Sequence, residues 1–125
     1  MLRLFLLGCA GGAGTLARYW LTSFVHRFVG ETFPLGTLAV NVVGCFAIGV
    51  VMQLVQERQL LSPDARCLIV VGLLGGFTTF SAFGYETLAL AQRATPLLAL
   101  INVAGNVVFG VVAVWLGILA ARMLV

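Results

Sequence analysis

The chain has 125 residues, 62% of them hydrophobic and only 9% charged, whereas about a quarter of the residues in a soluble domain are charged. A chain this short leaves much of its surface exposed, and so few polar residues cannot cover it, which argues against a soluble protein. The net positive charge comes from arginines scattered singly, without the basic stripe that binds nucleic acid. Composition therefore predicts an integral membrane protein and excludes a nucleic-acid partner.

The first residues, MLRLFLLGCAGGAG, raise the alternatives of a signal peptide or a lipoprotein cleavage site. The apolar run before Cys9 extends only from Leu4 to Gly8, shorter than the core of about 7–15 residues that a signal peptide needs. We therefore interpret these residues as the start of a retained helix. The three cysteines, Cys9, Cys45 and Cys67, lie in apolar stretches and are odd in number, which favours packing over a disulfide or a zinc site.

A membrane-crossing helix needs about 20 apolar residues. Four segments qualify, approximately Leu4–Val25, Leu35–Val55, Cys67–Gln92 and Leu97–Arg122. Because the loops between them are short, residues 1–125 are predicted to form a single all-α transmembrane domain. Ser62-Pro63 and Thr95-Pro96 each place a hydroxyl at a predicted helix cap and proline at the first helical position.

No Ser/His/Asp, Cys/His or paired-carboxylate set is visible, so the protein is predicted not to be an enzyme. The lone histidine, His26, is interpreted as a solvated loop residue. Small residues at helix-packing spacing, Gly8 and Gly12 in the first span and Ala113, Gly117 and Ala121 in the last, predict tight packing rather than chemistry. Four short helices bury little by themselves, so a homo-oligomer is expected.

The string GGFTTFS, residues 75–81, interrupts the third apolar segment with two glycines, two threonines and a serine. Non-helical backbone at membrane depth is tolerated only where protein buries it or where it lines a cavity. We therefore predict that the third helix is broken near its middle. In a helix after the break, Phe80, Phe83 and Glu86 share one face, which Thr79 joins. A lipid-facing or core aromatic stripe is the alternative, but the position beside the break favours a pathway.

Other strongly polar residues within the predicted spans are Arg18, Asn41, Asn102 and Asn106. Such groups are functional candidates by default, although an isolated asparagine in a span also commonly forms hydrogen bonds between helices. Both interpretations remain open for the three asparagines.

Arginine counts near the span ends give almost no orientation bias. Arg3, Arg58, Arg66 and Arg122 would share one side, against Arg27 and Arg93 on the other, with Arg18 inside the first span. A chain with so little bias is expected to insert in both orientations. Two oppositely oriented copies can pair about a two-fold axis in the membrane plane.

Three strings together resemble the bacterial fluoride channels called Fluc or CrcB: GGFTTFSAF with a following glutamate, PLGTLAVNVVG, and GGAGTLARY. The resemblance covers essentially the whole chain in length, span count and motif order. It implies an antiparallel, dual-topology homodimer with two pores, each lined by both subunits. It also implies a structural sodium ion at the dimer centre, held by the backbone carbonyls of Gly75 and Thr78.

The residues that the resemblance and the helical face together assign to the fluoride path are Asn41, Thr79, Phe80, Ser81, Phe83 and Glu86. The sequence departs from the family at Ala82, where relatives often have threonine. It also lacks Ser, Thr and Tyr after Thr95, where relatives often place hydroxyls or an aromatic residue, and Asn102 and Asn106 are candidates to replace them.

The function expected from these features is passive, selective export of cytoplasmic fluoride through the bacterial inner membrane. The alternative is a small proton-coupled multidrug or ion exporter with four spans. That mechanism needs a carboxylate near the middle of the first helix, and the first span contains no acidic residue. A non-transporting assembly protein would explain the small-residue stripes but not the interrupted third segment.

Overall fold

The computed structural model describes residues 1–58, 61–93 and 95–124, without the side chains of residues 57 and 58. Every regular element in those ranges is helical, so the predicted all-α fold is confirmed. Helix α1 spans Leu2–Val29 and helix α2 spans Leu35–Arg58. α1 ends at Gly30, whose φ of 71° is a left-handed conformation that glycine adopts without strain.

The third helical segment consists of several elements. They are α3 (Pro63–Cys67), a π-helical stretch (Leu68–Leu74), α4 (Gly75–Phe77) and α5 (Phe80–Arg93). The Ser62 hydroxyl accepts a hydrogen bond from the backbone N–H of Ala65 at 3.2 Å, as the predicted cap requires. Between α4 and α5, Thr78 has an extended conformation with ψ of 161°, and Thr78 and Thr79 belong to neither helix.

Helix α6 spans Pro96–Met123 and begins with proline at its first position. Thr95 occupies the N-cap position as predicted, but its side chain makes no capping hydrogen bond. The Thr95 carbonyl instead accepts a bond from the backbone N–H of Leu98 at 2.9 Å. Proline and backbone bonding therefore start this helix without a side-chain cap.

Two sets of helix contacts fix the position of the interruption at Thr78 and Thr79. α2 packs along α6, and α1 packs against the π-helical stretch and α4. The small residues predicted in the last span are buried in this interface: a Cβ on Gly117 would overlap the Phe46 carbonyl oxygen, and Ala113 and Ala121 are 5% and 0% exposed. Tight packing at this stripe is confirmed.

The corresponding prediction for Gly8 and Gly12 is wrong within this chain, since a Cβ on either meets no atom within 4 Å. The close approach on α1 occurs at other glycines. A Cβ on Gly14 would overlap the carbonyl oxygen of Leu73, and a Cβ on Gly76 would overlap that of Gly11. α1 therefore lies against the backbone just before the interruption, where side chains larger than hydrogen do not fit.

An ion pair joins the beginnings of α1 and α3, with Arg3 Nε 3.3 Å from Asp64 Oδ1. A hydrogen bond with Cys67 and the negative charge of Asp64 raise the pKa of the Arg3 guanidinium above its ordinary value. The N-terminus and the start of the third segment therefore lie at the same end of the bundle, as the arginine count assumed. The Arg58 side chain used in that count lies outside the described residues.

Three described segments are long and apolar enough to cross a membrane: Leu35–Gln56, Pro63–Arg93 and Pro96–Met123. α1 has 28 residues, which is sufficient length for a fourth crossing. The chain is a multi-pass membrane protein, and the crossing by α1 stays a prediction.

Candidate functional site

Asn41 on α2 holds the backbone of the interruption. Its Oδ1 accepts a hydrogen bond from the Thr79 N–H at 3.0 Å, and its Nδ2 donates to the Thr79 carbonyl at 3.2 Å. In a continuous helix the Thr79 N–H would bond to the Gly75 carbonyl, four residues earlier. The Thr79 hydroxyl accepts a bond from the Ala82 N–H at 3.2 Å and so caps α5. Side chains thus satisfy several backbone groups that the interruption frees.

A cavity of about 380 Å³ lies beside these bonds. It brings together six of the sequence-predicted site residues and Asn106; the six are Asn41, Gly75, Thr78, Thr79, Phe80 and Phe83. A second cavity of about 610 Å³ adjoins it through Thr79 and is lined by Ser81, Glu86 and Arg18 among others. The predicted path residues therefore border two neighbouring cavities that meet at Thr79.

Phe80 and Phe83 lie in contact along one face of α5. Their ring centroids are 5.4 Å apart and their planes are tilted by 55°, a geometry within the usual range for aromatic pairs. Phe80 is 83% exposed in the single chain, whereas Phe83 is partly buried. A large ring exposed beside an interrupted helix can line a pathway or pack against a second protein chain.

Glu86 continues the same face toward the end of α5. Its Oε1 accepts a hydrogen bond from the Thr37 hydroxyl at 2.7 Å. Its Oε2 is buried and has no hydrogen-bond partner within the described part of the chain. A buried oxygen without a partner is costly, and inside a membrane segment it marks a functional candidate.

Arg18 reaches the interruption from α1, with Nη1 donating to the Thr78 carbonyl at 3.2 Å. The Thr78 hydroxyl donates to the Leu74 carbonyl at 3.1 Å and therefore points back toward the last residue of the π-helical stretch. Gly75 is exposed at the cavity. The two carbonyl groups predicted to bind sodium are those of Gly75, the first residue of α4, and of Thr78, which follows its last residue. The Thr78 carbonyl already accepts a hydrogen bond from the Arg18 guanidinium.

The asparagines of α6 form a hydrogen-bonded chain with Asn41. Asn41 Nδ2 donates to Asn106 Oδ1 at 3.0 Å, and Asn106 Nδ2 donates to Asn102 Oδ1 at 3.2 Å. Asn102 Nδ2 then donates to the Thr87 hydroxyl at 2.8 Å, which donates to the Phe83 carbonyl at 2.7 Å. Asn102 is 1% exposed and does not border the cavity, whereas Asn106 does. The two asparagines therefore occupy different environments.

The interpretation of His26 as a solvated loop residue is wrong. α1 continues to Val29, four residues beyond the predicted span, so His26 lies in its last turn. The imidazole is 29% exposed, with Nδ1 3.8 Å from Glu31 Oε1, and it packs on Gly36. It borders the second cavity together with Arg18.

Residues 5–118 match the family described as CrcB-like protein, Camphor Resistance (CrcB). The chain belongs to the CrcB family. The resemblance read from the three motif strings is confirmed, because the match covers all of them.

Curated relatives match the chain over nearly its whole length. The protein of Solibacter usitatus is 47% identical over 121 residues, covering 97% of this chain and 99% of the relative. That of Geotalea daltonii is 45% identical over 116 residues, covering 93% and 94%. That of Citrifermentans bemidjiense is 41% identical over 124 residues, covering 99% and 100%. Each is named Fluoride-specific ion channel FluC.

Sequence reasoning missed two contributors to the site. Thr37 precedes Asn41 by four residues and therefore shares its helical face, so this spacing could have identified it. Thr87 follows Phe83 by four residues on the predicted pathway face, and the same argument applies. The bond from Arg18 to the Thr78 carbonyl leaves no sequence signal, because it depends on how α1 packs.

Proposed function

We propose that this protein is a passive, fluoride-selective ion channel. Two findings together support the proposal. Relatives over 40% identical across nearly the whole chain are named fluoride-specific ion channels. Four of the six sequence-predicted path residues, Asn41, Thr79, Phe80 and Phe83, border one cavity at an interrupted membrane segment. The protein moves an ion without transforming it and is not an enzyme.

The proposed path runs through the two adjoining cavities. Asn41, Phe80 and Phe83 line its first part, and Thr79, Ser81 and Glu86 line the part that follows. The Thr79 and Ser81 hydroxyl oxygens lie 3.4 Å apart where the cavities meet. Because the two hydroxyls are so close, an anion at this point of the path can accept hydrogen bonds from both.

Selectivity follows from the chemistry of these donors. Fluoride is small and strongly hydrated, so a selective pore must replace its water with short, directed hydrogen-bond donors that chloride cannot use equally well. An amide NH₂ and hydroxyl groups supply such donors, while the positive edge of a phenyl ring solvates an anion weakly. Weak sites suit conduction, since an ion must leave each site as readily as it enters.

The working unit is an antiparallel homodimer, and the third helix acts in it as a broken helix. Support comes from what the single chain leaves open: Gly75, Phe80 and Ser81 are exposed at membrane depth beside the interruption. Exposed backbone and hydroxyl groups are unfavourable in lipid, so a second copy of this surface is the partner that covers them. The balanced arginines support insertion in both orientations.

A sodium ion at the dimer axis, held by the Gly75 and Thr78 carbonyls of both copies, completes the assembly. The residues fit this ion. The Gly75 carbonyl has lost the Thr79 N–H as its helical partner, and the Thr78 carbonyl retains a second lone pair beside its bond from Arg18. Neutral backbone oxygens suit a hard monovalent cation better than magnesium or calcium, which prefer carboxylates. Bound there, the ion would fix the two interruptions against each other.

The proposed location is the bacterial inner membrane. A passive channel there lets fluoride that entered as neutral hydrogen fluoride leave the cytoplasm, driven by the membrane potential. Growth of a bacterium without its own fluoride channel tests this role. Expression of the protein should restore growth in fluoride and lower internal fluoride relative to empty vector. Equal internal fluoride in cells whose membranes contain the protein would overturn the proposal.

A further inference from the structure

We propose that Asn106 sets the fluoride affinity of the path by competing with the ion for the Asn41 amide. The inference rests on the proposed role of Asn41 as a donor to fluoride. It adds a residue on α6 that controls how tightly that donor holds the ion.

The amide nitrogen of Asn41, Nδ2, carries two hydrogens that it can donate. One hydrogen is donated to the Thr79 carbonyl at 3.2 Å and, together with the bond from the Thr79 N–H to Asn41 Oδ1, holds the interrupted backbone. The other is directed at Asn106 Oδ1, 3.0 Å away. Losing the first bond would free the backbone at membrane depth, which is costly. The hydrogen that points at Asn106 is therefore the one that Asn41 can offer to an anion.

Hydrogen bonds to Asn102 fix the orientation of the Asn106 side-chain amide. Its Nδ2 donates to the carbonyl and to Oδ1 of Asn102, at 3.0 and 3.2 Å, so its own Oδ1 must face Asn41. Asn102 is fixed in turn because its Nδ2 donates to the Thr87 hydroxyl. The Thr87 hydroxyl donates its hydrogen to the Phe83 carbonyl. Every hydrogen bond in this series is therefore donated in one direction, from Asn41 toward Phe83.

The consequence is an internal acceptor at the position where the ion binds. Both Asn41 and Asn106 border the cavity, so a fluoride ion that accepts from Asn41 replaces a neutral amide oxygen already there. Because fluoride must replace the Asn106 oxygen as the acceptor, the net affinity of the site for fluoride is lower than that of a free amide. Exchange with water lowers the net strength of any hydrogen bond in the same way. Fluoride binds at Asn41 but leaves readily, which conduction requires.

The decisive variant is Asn106→Leu, which removes the competing oxygen with little change in size. The probe is fluoride itself, with the initial efflux rate from liposomes containing the full-length protein measured over a range of internal fluoride concentrations. The fluoride concentration for half-maximal flux should fall by about two- to tenfold, the effect of one neutral hydrogen bond. A residue needed only for folding would lower the maximal rate without lowering this concentration.

Thr87→Val provides a second variant that keeps the side-chain shape. It removes the acceptor for Asn102, loosens Asn106 and should lower the half-maximal concentration in the same direction by a smaller factor. Thr95→Val is the matched control, since the exposed Thr95 hydroxyl caps nothing, and it should leave the concentration unchanged.

Asn41→Leu separates this inference from the proposed path. Wild-type flux in Asn41→Leu would overturn the path and this inference together. Lost flux in Asn41→Leu, combined with an unchanged or raised half-maximal concentration in both Asn106→Leu and Thr87→Val, would overturn the role of Asn106 alone.

Discussion

Asn41 and Thr79 pair through both polar groups of the Thr79 backbone, with Oδ1 accepting at 3.0 Å and Nδ2 donating at 3.2 Å. This contact joins α2 to the interrupted third segment and borders the cavity that we assign to fluoride. One side chain thus both stabilises non-helical backbone and contributes to the proposed path.

Asn41→Asp should reduce fluoride flux at least about a hundredfold. A carboxylate cannot donate to the Thr79 carbonyl or to fluoride, and its like charge facing the anion costs several kcal/mol. Gln92→Glu makes the same amide-to-acid change at an exposed position near the end of α5 and should conduct normally. Fluoride efflux from liposomes measures both, and flux near wild type in Asn41→Asp would exclude Asn41 from the path.

Phe80→Ile and Phe83→Ile should each lower fluoride flux by roughly fivefold while the dimer still forms. Isoleucine keeps apolar bulk but lacks the positive ring edge, whose interactions are worth roughly 1 kcal/mol each. Phe24 and Phe28 on α1 form a matched control pair with centroids 5.0 Å apart, and neither ring borders either cavity. If Phe24→Ile impairs flux as much as Phe80→Ile does, the effect is not specific to the path.

Gly75→Leu should prevent dimer assembly, whereas Thr78→Ser should be mild. A Cβ on Gly75 meets only the Val70 carbonyl at 3.7 Å, an ordinary contact, so the substitution is directed at the proposed partner rather than at backbone packing in the single chain. Thr78→Ser keeps both the carbonyl and the hydroxyl that donates to Leu74. Gly84→Leu, where a Cβ meets nothing within 4 Å, controls for replacing a helical glycine. Crosslinking in membranes reports the dimer, and an intact Gly75→Leu dimer would contradict the proposed axis.

Replacing sodium with a large organic cation should weaken dimer assembly and lower fluoride flux together. The reason is that the Gly75 and Thr78 carbonyls would then face each other across the axis without a cation. The measurement combines fluoride efflux with dimer fraction after removal of sodium has been verified by elemental analysis. Unchanged flux and assembly would show that the carbonyls have no structural sodium.

Tagged chains should be found in both membrane orientations, because the arginine bias is weak. Lysines in place of Glu31 and Thr32, both exposed in the loop after α1, should fix one orientation and remove activity. Co-expression with a version carrying two lysines in the second loop should restore it. Labelling of the tags from each side reports orientation, and full activity from a single fixed orientation would contradict an antiparallel dimer.

The sequence predicted the all-α class and the family because both depend on local signals: long apolar runs and short motif strings. It also selected Asn41 and Thr79, since polar groups stand out in an apolar segment. It could not predict that they bond to each other, which depends on how α2 packs against the third segment. The π-helical stretch Leu68–Leu74 was missed for a related reason, as its residues suit an α-helix equally well.

The asparagines of α6 illustrate the same limit. Composition marked Asn102 and Asn106 as equivalent candidates, four residues apart on one face. The fold separates them, since Asn102 is 1% exposed behind the cavity wall while Asn106 borders the cavity. Gly8 and Gly12 do not pack against other helices of this chain, because spacing alone does not reveal which face of α1 meets the bundle, and Gly14 occupies that face instead.

Selective, passive conduction of fluoride can be tested by paired efflux measurements. Purified protein in liposomes loaded with potassium fluoride or potassium chloride is studied with ion-selective electrodes after addition of a potassium ionophore. We expect rapid fluoride release with scarcely any chloride release, independent of an imposed proton gradient. Equal release of chloride, or fluoride release that requires proton counterflow, would contradict it.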